Sequence, residues 1–279
     1  MIVTALIENQ GGKELCCEHG LAIHIAYRGK NYLLDAGKTG LCFENADQMG
    51  ISVEEVDAAF LSHGHYDHAG GFQLFFQRNR KAKLYLQKDA LAYNHYKITE
   101  TMKKNIGIPE GIPENYRERF ILLEGDRKIA EGVYLVAHHL PGAEVRSEKA
   151  HLYQEKDGIV MLDDLKHEQS LVFETENGLI VFNSCSHSGV ENVIREIRDV
   201  FPRQKIAAMI GGFHLMGVDG VETMAGTREE VLRLAETLKT FGDFPIYTGH
   251  CTGIPAFAIL KEVLGDRLSY FSTGCRLRF

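Results

Sequence analysis

Three histidines and one aspartate fall within six consecutive positions, and side chains of these types bind metal ions. His63, His65, Asp67 and His68 come directly after the apolar run Ala58-Ala59-Phe60-Leu61, and two glycines follow them. The apolar run predicts a short buried strand, and the glycines predict a tight turn. Imidazole nitrogen and carboxylate oxygen suit zinc, iron or manganese. The segment therefore predicts a rigid edge that directs several metal ligands the same way.

One ion cannot use all four side chains of so short a segment without strain. We expect His63 and His65 to face one ion, and Asp67 and His68 to face a second. A single histidine is more often a hydrogen-bonded core or surface residue, but this spacing at a strand end favours a metal site. A catalytic site of this kind needs about three protein ligands for each ion and an open position for substrate. Further ligands must therefore come from elsewhere in the chain.

Two histidines in the C-terminal half also follow predicted strands. His187 comes after the second strand of a predicted hairpin, and His250 comes after the run Pro245 to Thr248. We expect His187 to complete the first site and His250 to complete the second. His167 is a weaker alternative to His187. Cys185 is either a thiolate ligand or a small apolar residue of the core.

The remaining elements would hold these residues in place. Asn177-Gly178, between two β-rich runs, predicts a hairpin. Thr227 to Glu230 is a capping box that begins a helix, and Pro255 suits the first turn of another. One strand is predicted over Ile129 to Ala137, and a closing strand over Leu268 to Phe271.

The segment from about 89 to 120 lacks a clear period and contains Pro109, Gly111 and Pro113. We interpret it as an insertion that covers the site as a lid or recognises substrate. No linker or repeat interrupts the sequence, so 1–279 is expected to be one domain. Four histidines in this segment or after it lack ligand spacing and are interpreted as structural or substrate-facing: His95, His138, His139 and His151.

The composition is that of a soluble globular protein, with 44% hydrophobic and 25% charged residues. The net charge of −7 disfavours a nucleic-acid partner. No apolar run is long enough to cross a membrane, no signal peptide is evident, and the six cysteines lack disulfide spacing. We therefore expect a cytoplasmic protein with reduced thiols, and the sequence permits a homo-oligomer. Basic clusters such as Lys97, Lys103 and Lys104 would suit a small anionic substrate.

Taken together and in this order, the motifs resemble those of the metallo-β-lactamase superfamily. The resemblance spans nearly the whole chain and rests on seven motifs: Glu8-Asn9, Glu18-His19-Gly20, Asp35-Ala36-Gly37, Ser62 to His68, Cys185-Ser186-His187, Gly211 to Leu215 and Thr248 to Gly253. It is strongest to the branch of metal-dependent hydrolases related to the archaeal 7,8-dihydropterin-6-methyl-4-(β-D-ribofuranosyl)aminobenzene 5'-phosphate synthase of methanopterin biosynthesis. The resemblance implies an α/β (α+β) fold. Its form would be a four-layer αββα sandwich, with two mixed β-sheets face to face and helices outside.

The resemblance also implies two divalent metal ions, with zinc expected and manganese or iron as alternatives. Most members of the superfamily have an aspartate that bridges the two ions. This chain has no aspartate at the corresponding strand end, where Cys185 lies, so the bridge is either this thiolate or water alone. Asp35 is either a turn former or a carboxylate that orients a metal-bound histidine.

The leading functional hypothesis is a dinuclear hydrolase that uses a metal-activated water on a phosphoester or a similar small anionic substrate. Asp67 is expected to be both a ligand and the acceptor of the nucleophile's proton. His214 is either a core histidine or a catalytic and substrate-binding residue at the mouth, and His19 is expected to bind substrate from the opposite edge. The alternatives are a transferase that condenses a dihydropterin-methyl diphosphate with an aromatic amine ribose phosphate, and a non-enzymatic metal-binding protein.

Overall fold

In the computed structural model, which describes residues 1–139 and 142–279, short strands alternate with helices along the chain. The strands are β1 Ile2–Ile7, β2 Ala22–Tyr27, β3 Lys30–Leu34, β4 Ala58–Phe60, β5 Lys83–Gln87, β6 Asn94–Thr99, β7 Met102–Asn105, β8 Phe120–Leu123, β9 Arg127–Ala130, β10 Val133–Ala137, β11 Leu152–Lys156, β12 Ile159–Leu162, β13 Gln169–Thr175, β14 Gly178–Phe182, β15 Ile206–Ile210, β16 Met216–Gly217, β17 Gly220–Met224, β18 Ile246–Thr248, β19 Leu268–Tyr270 and β20 Arg276–Arg278. The α-helices are α1 Leu41–Gln48, α2 Tyr66–Ala69, α3 Phe72–Arg78, α4 Asp89–Ala92, α5 Ile112–Asn115, α6 Ala143–Ala150, α7 Val190–Val200, α8 Arg228–Thr240 and α9 Ile254–Leu264.

Two seven-stranded sheets carry most of these strands, in the orders β20-β1-β2-β3-β4-β5-β8 and β19-β18-β15-β14-β13-β10-β9. In the first sheet, β1, β2 and β3 pair antiparallel, whereas β3, β4, β5 and β8 pair parallel. In the second sheet, β14, β15, β18 and β19 are parallel and the remaining pairs are antiparallel. Both sheets are mixed, and each contains a run of parallel strands whose carboxyl ends lie at one edge.

The two sheets pack face to face, and helices cover their outer faces. Between the sheets lies a hydrophobic cluster in which Phe173 of β13 contacts Tyr27 and Tyr32 of the first sheet, with ring centroids 5.1 and 5.4 Å apart. Helices α1 and α3 bury their apolar side chains against the first sheet, and α7, α8 and α9 bury theirs against the second. These layers confirm the predicted αββα sandwich.

Three details of the sequence interpretation were wrong. The single strand predicted over 129–137 is a hairpin of β9 and β10, with Gly132 in a left-handed conformation at the turn. The closing strand predicted after Leu268 is not the last, because β20 follows and pairs with β1. The hairpin of β16 and β17 was also missed, because its short strands lack a hydrophobic period.

The segment predicted to be an insertion contains α4, β6, β7 and α5. Strands β6 and β7 join β11 and β12 in a separate four-stranded sheet of order β12-β11-β6-β7. This small sheet therefore combines residues 94–105 with residues 152–162, a region for which the sequence predicted no strand. Among the described residues, no helix is long and apolar enough to span a membrane.

Gly70 and Gly71 follow the metal-binding motif. No residue with a side chain fits at either position, because the backbone of the segment after β3 passes close to both. Both have right-handed helical φ values, −62° and −69°, so neither needs the conformational freedom of glycine. A Cβ on Gly70 would lie 1.9 Å from the carbonyl oxygen of Lys38, and one on Gly71 would lie 2.0 Å from that of Ala36. The two glycines thus let the segment after β3 pack directly against the motif.

The capping box of α8 provides a test of how local sequence stabilises this fold. The Thr227 hydroxyl accepts a hydrogen bond from the Glu230 N–H, and the Glu230 carboxylate accepts one from the Thr227 N–H. We expect Thr227→Ala to lower the free energy of unfolding by about 1 kcal/mol in urea denaturation, because helix N–H groups lose their acceptor. Thr240→Ala, at the other end of the helix, is the matched control and should change it by less than about 0.5 kcal/mol. Equal losses would contradict this role.

Candidate metal centre

The predicted ligands come together where strand ends of the two sheets meet. The motif with His63, His65, Asp67 and His68 follows β4 of the first sheet and continues into α2. His187 follows β14 and His250 follows β18, both in the second sheet. All six side chains are buried. The structure thus brings residues that are far apart in the sequence into one cluster.

The ligand atoms form several small groups within this cluster. One group consists of His63, Cys185 and His187, and a second consists of His68, Cys185 and His250. In each group the ligand atoms lie within 4.8 Å of one another. Nε2 of His63 is 3.2 Å from Nε2 of His187, and Nε2 of His68 is 3.1 Å from Nε2 of His250.

The protonation of His68 and His250 can be inferred from the partners of their other ring nitrogens. Nδ1 of His68 lies 2.7 Å from the Asp35 carboxylate. Since a carboxylate only accepts, Nδ1 carries the proton and donates a hydrogen bond to Asp35. Nδ1 of His250 donates in the same way to Oδ1 of Asn9, at 2.9 Å. The Gly20 N–H also donates to this oxygen, which fixes the orientation of the Asn9 amide. When both rings are neutral, their Nε2 atoms therefore present lone pairs to each other.

Two lone pairs held 3.1 Å apart repel unless a cation lies beside both. In the other pair only His63 is fixed: its Nδ1 donates to the Ser62 hydroxyl at 2.8 Å while that hydroxyl donates to Asp35 at 2.7 Å. Nε2 of His63 therefore directs a lone pair toward His187, whose buried Nδ1 has no hydrogen-bond partner among the described residues. Asp35 thus fixes His68 directly and His63 through Ser62, which is the orienting interaction considered for it from sequence. We conclude that these residues suit divalent metal ions.

Two buried carboxylates hold the backbone next to the later histidines. Glu8 accepts hydrogen bonds from the His250 N–H and from the Tyr270 hydroxyl, the latter at 3.1 Å. Glu168 accepts them from the N–H groups of His187 and Ser188, at 2.7 and 2.9 Å. Burial raises the pKa of Glu8 in spite of these bonds. These two residues were not predicted to have this role, because nothing in their spacing connects them to distant strand ends.

The cluster keeps most of its imidazoles neutral, which is the state that binds metals. Burial, and then repulsion from neighbouring imidazoles, lowers the pKa of His63 and His187 well below the usual value. Burial also lowers the pKa of His250, to about 4. His68 differs, because the carboxylates of Asp35 and Asp67 outweigh its burial and raise its pKa.

His65, predicted to share an ion with His63 and His187, lies beside both, with its ring centroid 4.7 Å from that of His187, and it also lies beside a further group of ligand types. Its ring lies 4.5 Å from that of His63, between centroids, but its ligand atom groups with those of His95, Asp163 and His167. His167 accepts a hydrogen bond from the Gly64 N–H through Nδ1, at 2.9 Å, so its Nε2–H donates to Asp163. Both ring nitrogens of His167, the weaker alternative to His187, are therefore engaged. Asp163 also accepts from His95 at 3.0 Å, a contact that neither residue's spacing revealed.

His19 and His214 lie at two sides of the cluster. Nε2 of His19 is 3.3 Å from the Asp67 carboxylate, and its partly exposed ring stacks on His250 with centroids 5.2 Å apart. The ring of His214 lies 4.1 Å from that of His187, and its buried Nδ1 has no hydrogen-bond partner among the described residues. Burial lowers the pKa of His214 to about 4.

A cavity of about 430 Å³ opens beside this cluster, and His187 and His214 form part of its wall. Four basic and two acidic residues also line it: Lys97, Arg146, Lys149, Arg233, Glu191 and Glu230. Phe213, Leu215, Val231 and Leu234 contribute apolar surface. The cavity therefore offers a positively charged wall next to the candidate metal ligands.

The sequence profile of the Metallo-beta-lactamase superfamily matches residues 18–145, which include the motif at 63–68. The solved structure of Tm1679, a metal-dependent hydrolase of the beta-lactamase superfamily, superposes with a TM-score of 0.84 at 24% identity, covering 100% of this chain and 99% of that one. The chain therefore resembles this superfamily in the sequence of residues 18–145 and in its fold. Members of this superfamily typically bind metal ions, in agreement with the clustered ligands described above.

Two relatives of this chain come from Methanocaldococcus jannaschii. One is 7,8-dihydropterin-6-methyl-4-(beta-D-ribofuranosyl)-aminobenzene-5'-phosphate synthase, which is 26% identical over 244 residues, 84% of this chain and 79% of the relative. The other is an uncharacterized protein, 28% identical over 273 residues and 94% of each chain. The similarity therefore extends well beyond the metal-binding motif.

Asp35 offers a direct test of how the imidazoles are oriented. Asp35→Asn would place an amide where a carboxylate accepts from His68 and Ser62. We expect the affinity for Zn²⁺ to fall roughly 10- to 100-fold in competition with a chelator, as for other partners of metal-bound histidines. Asp57→Asn is the matched control, since that carboxylate accepts from Asn31 in the same sheet but contacts no histidine of the cluster. Unchanged affinity in Asp35→Asn would contradict the orienting role.

Proposed function

We propose that this protein is a dinuclear metal-dependent hydrolase that acts on a phosphoester or a similar small anionic substrate. The observation that carries this proposal is the two opposed imidazole pairs beside a basic cavity. His63 with His187 and His68 with His250 provide two positions for ions. When bound, such ions lower the pKa of a water molecule and polarise a substrate oxygen.

The protein itself supplies proton transfer and positioning around these ions. Oδ2 of Asp67 lies 3.5 Å from Nε2 of His250 and 3.3 Å from Nε2 of His19. Burial would raise the pKa of Asp67, but His68 and His19 outweigh it and lower that pKa, so the carboxylate is ionised and can accept a hydrogen bond from an attacking water. The partly exposed His19 then provides a route to solvent. His214, on the cavity side, would contact the substrate.

The charge on the cavity wall supports an anionic substrate. Arg146 is paired with Glu191 and Lys149 with Glu230, whereas Lys97 has no acidic partner among the described residues. Burial, with the charge of Lys104, lowers the pKa of Lys97. An anionic group on the substrate would compensate this half-buried ammonium, because a paired charge tolerates burial better than a single one.

A transferase is the second candidate, and the similarity to the Methanocaldococcus jannaschii synthase favours it. Such an enzyme would bind a dihydropterin-methyl diphosphate and join its carbon to an aromatic amine ribose phosphate. Release of diphosphate that depends on the amine would indicate this transferase. Release in the absence of any amine would indicate hydrolysis.

Metal analysis tests the proposed ion positions. We expect about two ions per chain in protein purified without chelator, and about one in each of His187→Ala and His250→Ala, because each variant removes one member of a pair. Hydrolysis of bis(p-nitrophenyl) phosphate should fall with the metal content.

The buried His24, on β2, is the matched control, and His24→Ala should keep both ions. Its ring lies outside the ligand groups found among the described residues. One ion or none in the unmodified protein, with no change in either variant, would contradict the dinuclear site.

Lys97 tests the proposed substrate charge. We expect Lys97→Gln to raise KM for p-nitrophenyl phosphate about tenfold while kcat changes little, because a charge-assisted contact is lost. KM for the uncharged p-nitrophenyl acetate should not change. Lys103→Gln is the matched control on the same small sheet, since Lys103 pairs with Glu155 outside the cavity. Equal effects on both esters would contradict anion binding by Lys97.

A further inference from the structure

Cys185 lies at the point where the two ligand groups meet. It follows β14, two residues before His187, and is buried. It is the single residue that the group of His63 and His187 shares with the group of His68 and His250. In each group its Sγ lies within 4.8 Å of the other ligand atoms.

The surroundings of Cys185 differ from those of a cysteine that fills space. Its Sγ lies 3.2 Å from Nε2 of His68. None of the hydrophobic clusters in the described part of the chain includes it. Cys42 of α1, by contrast, packs in the apolar core, and its thiol donates to the Ala36 carbonyl at 3.0 Å.

The position of Cys185 between the two imidazole pairs suits a ligand with more than one lone pair. In the neutral ring, Nε2 of His68 presents a lone pair, because the proton is on Nδ1, which donates a hydrogen bond to Asp35. A deprotonated sulfur has several lone pairs and can contact two ions at once, as an aspartate carboxylate can with its two oxygens. Asn183-Ser184-Cys185 offers no carboxylate at this strand end.

We propose that the Cys185 thiolate is a metal ligand shared by the two ions, joining the His63–His187 position to the His68–His250 position. The proposal rests on the dinuclear site described above. As the sulfur–metal bonds form, the S–H bond breaks and its proton passes to solvent. No group is oxidised or reduced. The alternative is a neutral thiol that only donates a hydrogen bond to His68.

Cobalt substitution distinguishes these two states, because a thiolate bound to Co²⁺ absorbs in the near ultraviolet by charge transfer and a thiol does not. The metal-free protein is titrated with Co²⁺ alone, and both the bound metal and the absorbance are measured. We expect the band to grow over both equivalents in the unmodified protein and in Cys42→Ser, the matched buried-thiol control. Cys185→Ser should lose the band.

Cys185→Asp provides a conservative variant with a carboxylate that can contact two ions. It should bind about two Co²⁺ ions without the charge-transfer band. Two bound ions without the band in the unmodified protein, a band complete after one equivalent, or a band that persists in Cys185→Ser would each overturn the shared thiolate. Fewer than two ions in the unmodified protein would instead overturn the dinuclear site. Because the titration of the unmodified protein decides the matter, a variant that fails to fold does not prevent the test.

Discussion

Two pairs of buried imidazole nitrogens, His63 with His187 and His68 with His250, face each other at 3.2 and 3.1 Å. Asp35 and Asn9 fix the Nδ1 protons of His68 and His250 on the outer sides of these rings, and Asp35 fixes that of His63 through Ser62. The Nε2 lone pairs of these three neutral rings therefore point inward. Neutral rings that oppose each other in this way are destabilising without a cation. Burial opposes protonation of His63, His187 and His250, whereas the carboxylates beside His68 raise its pKa. We therefore interpret the arrangement as a preformed cation-binding site. The free energy of metal binding at such a site also stabilises the fold.

The backbone around this receptor is strained at defined points. Four of the eight non-glycine residues with positive φ among the described residues lie here: Asp35, Ser186, His214 and His250, at 58, 53, 48 and 49°. Such conformations cost on the order of 1–3 kcal/mol each and persist only where neighbouring contacts hold them. Glu8 and Glu168 supply such contacts by accepting N–H groups of His250 and His187. Each strand end can therefore turn sharply and direct a ligand inward without becoming mobile.

Local signals in the sequence were sufficient for most of the scaffold but not for the relations between distant segments. Hydrophobic runs, the capping box at Thr227 and the Asn177-Gly178 turn act over a few residues, and the strands and helices they predicted are present. The ligand histidines were recognisable because chemistry and position coincide at strand ends. By contrast, Asp163, Glu8 and Glu168 act through contacts with residues far along the chain or on another strand. A lone carboxylate carries no periodic signal, so its partner becomes evident only when the sheets are assembled.

The division of the fold into sandwich and small sheet also separates the candidate metal ligands from Lys97, which we propose to bind the substrate. Every member of the two opposed imidazole pairs is positioned by strands of the sandwich, whose register is fixed by a core on both faces of each sheet. Lys97, in contrast, lies on β6 of the small sheet, which shares no strand pairing with either large sheet. Changes in the small sheet can therefore alter the charge of the cavity wall while the imidazoles stay in place. This is the arrangement expected when one scaffold accepts different substrates, since a rigid core holds the reactive groups and a separate element recognises the ligand.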